Sequence, residues 1–120
     1  MTDMTKIFSN FVSQATLQNF NDEMIFFSKM SMIDWCGVAH AAKEEPVSKI
    51  VTKLIEDEHT KGQSKLISNG KEVSAKSAAF VNGTIGHALD YDDTHFLFTG
   101  HPTASSFPTA LALGEELGSS

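Results

Sequence analysis

Apolar residues recur along this chain at intervals of three and four, with polar residues between them, so most of it reads as helix. Ile7, Phe8, Phe11 and Val12 form the stripe of a first helix over Thr5 to Gln14. Asn19, Asn21 and Asp22 then supply N-cap chemistry. A second helix is expected from Asp22 to Ala42. Its apolar residues, Phe26, Phe27, Met30, Ile33, Trp35 and Val38, spread around much of its girth, the pattern of a helix buried on several sides. The third, "KEEPVSKIVTKLIEDEH", is amphipathic. Pro46 suits its first turn, and Val47, Ile50, Val51, Leu54 and Ile55 make one inward face.

"SKLISNGKEV" breaks this period. Asn69-Gly70 is the favoured pair for a tight type I′ turn, and Leu66, Ile67 and Val73 flank it, so a short hairpin is expected here. Ser74 can cap a fourth helix over Ala75 to Leu89. That helix carries small residues at Ala75, Ala79, Gly83 and Gly86, a stripe that lets another helix approach closely. Each glycine costs about 1 kcal/mol relative to alanine in a helix. The next position on the stripe is Asp90. A carboxylate at a helix C-terminus opposes the helix dipole, so local stability does not explain it. The loop from Asp92 to Gly100 contains Phe96, Leu97 and Phe98, which are expected to pack against something. A fifth helix runs from Thr103 or Ser105 to Leu117, with Pro102 near its start and Gly118 at its C′ position. The fold class is therefore all-α: about five helices, with a short β-hairpin near Asn69-Gly70.

Composition narrows the function. At 120 residues, with 41% hydrophobic and 20% charged residues, the chain has the make-up of one globular domain. Its apolar runs fall short of a membrane span, and "MTDMTKIFSNF" lacks the features of a signal peptide, so a cytoplasmic protein without membrane contact is expected. Cys36 is the only cysteine, which excludes an internal disulfide, a cysteine zinc cluster and an iron–sulfur cluster. Within "MIDWCGVAH" it reads as a buried structural thiol. The net charge of −6 argues against nucleic acid as a partner. All nine basic residues are lysines. Polyanion sites usually use the planar arginine fork, so this chain would not bind such a substrate alone.

The titratable groups converge on "GHALDYDDTHFLFTGHPTA". Three of the five histidines, His87, His95 and His101, surround Asp90, Asp92 and Asp93. One reading is a solvated acidic turn. A second is a divalent metal site, although the spacing matches neither an EF-hand loop nor an HExxH helix. A third is acid–base catalysis without metal. His87 and Asp90 are three apart and can share a helix face, crowded carboxylates disfavour full ionisation, Thr94 adds a hydroxyl, and His101 can donate or accept just ahead of a helix.

"AAFVNGTIGHALDYDDTH" followed by "GHPTA" resembles the signature stretch of the MmgE/PrpD family. That family includes 2-methylcitrate dehydratases, cis-aconitate decarboxylases and iminodisuccinate epimerases. "FVSQ", "MIDWCGVAHAA", the NG turn and "ALALGEELG" resemble it in the same order, so the likeness covers nearly the whole chain. The resemblance implies a large helical domain, an α/β lid inserted later in the chain, and an active site between them. Residues 1–120 would then be the N-terminal part of the helical domain, without the lid. It also implies cofactor-independent chemistry with no metal, most simply dehydration of a small hydroxy-tricarboxylate. Asp90 matches the aspartate that opens the family's D-x-D-D-T motif, Thr94 its threonine, and His101 the histidine of the H-P pair. These three are the expected catalytic residues, with Asp93 and His95 as weaker substrate-binding candidates. The remaining groups, including basic ones, would come from the lid domain or a homodimer partner, and the 120 residues alone would be inactive. The alternative is a non-catalytic helical interaction module.

Overall fold

Asn21 starts the longest helix: its side chain accepts the Met24 N–H at 2.8 Å, satisfying one of the unpaired donors of the first turn. In the computed structural model, which describes residues 3–97 and 99–119, five helices and one hairpin follow the chain. They are α1 (Met4–Gln14), α2 (Asp22–Ala42), α3 (Pro46–Glu58), β1 (Ser64–Lys65), β2 (Glu72–Val73), α4 (Ala75–Gly86) and α5 (Pro102–Leu117). A short 3₁₀ turn over Leu17–Asn19 joins α1 to α2. Pro46 occupies the first turn of α3 as expected. Ser74 accepts the Ser77 N–H at the start of α4, and Gly118 closes α5 in the left-handed conformation.

Helix α4 is the centre of the packing, touching α2, α3 and α5. Ala78, Val81 and Ile85 face inward and meet Trp35 of α2, Val51 and Ile55 of α3, Leu66 and Val73 of the hairpin, and Ala112 of α5. The glycines of α4 do what the small stripe predicts. A Cβ at Gly83 would stand 3.5 Å from the Ala104 carbonyl of α5. That carbonyl is freed from its helical bond because Pro108, four residues on, has no N–H. A Cβ at Gly86 would fall on the indole of Trp35.

The hairpin is antiparallel, pairing Ser64 with Val73 and Lys65 with Glu72. It is held from two sides. Asn82 of α4, 1% exposed, accepts the Ile67 N–H at 2.9 Å and donates to the Lys65 carbonyl at 2.8 Å. From α5, Glu115 and Glu116 accept the N–H groups of Lys65 and Gln63, and the Ala112 carbonyl accepts the Ser64 hydroxyl.

Several expectations are corrected. The turn is wider than type I′: Leu66 N–H bonds the Lys71 carbonyl, Gly70 N–H returns to Leu66, and of Asn69 and Gly70 only Gly70 has a positive φ. Helix α4 stops at Gly86 rather than Leu89. Beyond two low-propensity glycines the chain tightens into i to i+3 turns, with Ala88 N–H on Ile85 and Asp90 N–H on His87. Asp90 therefore lies outside the helix, in the left-handed conformation at φ 56°, and does not sit on the end of its dipole.

Helix α2 is not enclosed on several sides. Only Trp35, Ala39 and Ala42 are buried, because α4 and α5 reach its C-terminal half, while Phe26, Phe27, Met30 and Ile33 stand exposed. The stripe of α1 is exposed as well. Cys36 is half-buried against the core rather than enclosed. Phe96 and Leu97, expected to pack, are more than nine-tenths exposed, and Phe98 lies outside the described residues. No helix among the described residues is long and apolar enough to cross a membrane.

Candidate functional site

The end of α4 and the start of α5 bring two histidines face to face. His87 caps α4 and His101 is the N-cap residue of α5. Because these helices pack directly on each other, the two imidazoles lie with centroids 4.7 Å apart, tilted by 54°. The left-handed turn at Asp90 sends the intervening chain back beneath them. Aspartate tolerates that conformation better than most residues, since its short polar side chain can bond locally.

Asp92 then comes to rest under both rings. Its side chain is 1% exposed. His87 Nδ1 meets Asp92 Oδ1 at 2.9 Å. His101 Nδ1 lies 3.3 Å from the Asp92 carbonyl oxygen and 3.5 Å from Oδ2. That buried Oδ2 has no hydrogen-bond partner among the described residues. On the other edge of the ring, His101 Nε2 approaches Asp90 Oδ1 at 3.4 Å. Asp90 is 75% exposed, His87 50% and His101 28%, so a small molecule can reach the cluster.

The other expected residues take different places. Asp93 is a helix cap: its carboxylate accepts the Thr103 N–H at 3.2 Å and the Thr103 hydroxyl at 2.8 Å. Pro102 has no N–H, so the first two positions of α5 offer no donor to an incoming anion. Thr94 is exposed beside this cap. His95 is exposed and makes a backbone bridge with Gly100, its N–H on the Gly100 carbonyl, which closes the loop that returns the chain to His101. A cleft of about 290 Å³ between α2 and α5 touches this region only through Thr103.

The structure thus brings Asp90 and His101 together and adds His87 and Asp92. His87 had a visible signal in its i, i+3 spacing to Asp90. Asp92 had none beyond its place in an acidic run, since burial beneath the rings follows from the backbone turn. His87, Asp90, Asp92 and His101 can each bring one ligand atom within 4.8 Å of the others, so the set has the donors for a cation. Both Nδ1 atoms already face Asp92, and the arrangement is held by its own contacts. Chemically it offers a half-buried imidazole beside an exposed carboxylate, both standing on a buried carboxylate.

Residues 6–120 match the sequence model of the MmgE/PrpD N-terminal domain. Among curated proteins, none matches the chain.

Proposed function

The chain belongs to the MmgE/PrpD family, and from that premise we propose that the His101–Asp90 pair is one wall of a lyase site. The substrate is a small polycarboxylate, and the reaction is loss of water from a 2-methylcitrate-like hydroxy-tricarboxylate. The observation that carries this reading is the 3.4 Å approach of the half-buried His101 Nε2 to Oδ1 of the exposed Asp90. Such a dehydration needs a proton taken from carbon next to a carboxylate, stabilisation of the enolate-like charge, and a proton given to the leaving hydroxyl. An imidazole and a carboxylate sharing a proton can serve as base in one step and acid in the next. Thr94 supplies a hydroxyl four residues from Asp90, and Asp93 and His95 are the weaker substrate-binding candidates, Asp93 only if it lets go of Thr103. No cofactor enters this scheme. Positive charge for the substrate's carboxylates comes from a lid domain or a homodimer partner, in a cytoplasmic enzyme. Decarboxylation or epimerisation would draw on the same wall.

The test is His101→Ala in an enzyme carrying this domain together with its lid, assayed on 2-methylcitrate, cis-aconitate and related acids. A loss of about 10²–10⁴ in kcat is expected, the range of general acid–base groups, with little change in melting temperature. Near-normal turnover overturns the reading. The 120-residue chain alone is expected to show no appreciable turnover. The exposed apolar residues of α1 and α2 favour a second reading, a non-catalytic helical interaction module. An adjacent reading frame encoding a lid would decide against it.

A further inference from the structure

Asp92 is not among the residues that the lyase reading assigns to the chemistry, yet it is the most deeply buried ionisable group of the cluster. Its two oxygens lie under two different imidazoles, and both rings present the same atom, Nδ1. We infer that Asp92 is a positioning residue that fixes both His87 and His101 as Nδ1–H tautomers and leaves their Nε2 atoms as the proton-exchanging edges. For His101 this deepens the lyase reading and rests on it.

A backbone carbonyl can only accept, so the 3.3 Å contact of His101 Nδ1 with the Asp92 carbonyl oxygen requires the proton on Nδ1. An ionised carboxylate can only accept as well, so the 2.9 Å contact of His87 requires the same tautomer. Asp92 Oδ2 is buried without a hydrogen bond, an arrangement that is costly unless a donor comes close. His101 Nδ1, 3.5 Å away, becomes that donor on a small ring rotation. A proton held on Nδ1 by acceptors on that side leaves Nε2 bare, on the ring edge that lies 3.4 Å from Asp90 Oδ1. A buried carboxylate that orients an imidazole and fixes its tautomer is a known way to prepare a histidine for proton transfer.

The histidines can report this directly, without turnover. In a long-range proton–nitrogen correlation spectrum of the ¹⁵N-labelled chain, taken above the ordinary imidazole range, the protonated and bare ring nitrogens are well separated. An unconstrained imidazole favours the Nε2–H form. His40 and His59 are exposed and should show it. His87 and His101 are expected to show Nδ1–H instead. In Asp92→Ala, His87 should lose that form, while His101 keeps part of it through the backbone carbonyl. In Asp92→Asn, one of the two rings should switch, because the amide offers one acceptor and one donor. A wild-type spectrum with Nε2–H dominant at His87 or His101 overturns the inference, and that spectrum decides even where a variant does not fold. Turnover of His101→Ala tests the lyase reading separately: normal activity with fixed Nδ1–H tautomers would defeat that reading and leave the role of Asp92 in holding the rings.

Discussion

Replacing Gly86 with alanine sets two effects of opposite sign against each other. Gly86 is the last residue of α4 and its φ is not positive, so the backbone accepts a Cβ. Helix propensity alone would make Gly86→Ala stabilising by up to about 1 kcal/mol. Packing says otherwise. The added Cβ would lie 2.6 Å from Trp35 Cε2 and 3.0 Å from Cδ1, and nearer still to Nε1. Ordinary contact begins at 3.4 Å, so the indole must retreat by more than a few tenths of an ångström. It has little room, being fully buried and set edge-on against Phe107 with centroids 5.0 Å apart.

Overpacking of this kind costs about 1–3 kcal/mol, sometimes more, and this overlap belongs at the upper end. After subtracting the propensity gain, a net loss of about 2 kcal/mol remains. For a domain of this size that lowers the melting temperature by roughly 5–12 °C. Trp35 is the chain's only tryptophan, so its fluorescence and near-ultraviolet dichroism report the same site that is being crowded. The expected result is a lower Tm with an altered tryptophan signal. A Tm equal to or above that of the parent, with an unchanged signal, would show that α4 and α2 do not meet at Gly86 in this way.

Asn82→Ala should destabilise by about 2–4 kcal/mol in urea titration, because it leaves the Ile67 N–H and the Lys65 carbonyl without their buried partner; a loss under about 1 kcal/mol would mean that the hairpin is not held by α4. Burial raises the pKa of Cys36, so at about pH 8 it should react with iodoacetamide more slowly than in the urea-unfolded chain, and equal rates would contradict the packing. Because the folded pKa lies above the unfolded one, that contribution to stability is complete at neutral pH and fades as pH rises past the ordinary thiol range, about 8.5. The exposed Phe8, Phe11, Phe26, Phe27 and Ile33 should drive self-association of the isolated chain at micromolar concentration; sedimentation should show it, with a shift toward monomer in Phe11→Ser/Phe27→Ser, and a monomer throughout would oppose the exposure seen here.

What this sequence makes legible depends on the range of the physics behind each feature. Helix starts were legible because a cap is a local contract: Asn21 and Ser74 bond N–H groups three residues away, and Pro46 needs only its own φ. Burial was less legible, since an apolar stripe states a demand for a partner and not whether one is supplied. Phe27 and Ile33 are apolar and exposed, while Asn82 is polar and buried. The site shows the same division. His101 and Asp90 carried their identities in a motif, yet what brings them together is nonlocal. It depends on α5 crossing α4 at a glycine and on a left-handed residue at position 90 turning the chain under the rings. Asp92 lay in plain view between two better candidates. Three aspartates within four residues read alike until the backbone sends one outward to Nε2, one beneath two Nδ1 atoms, and one to the start of a helix.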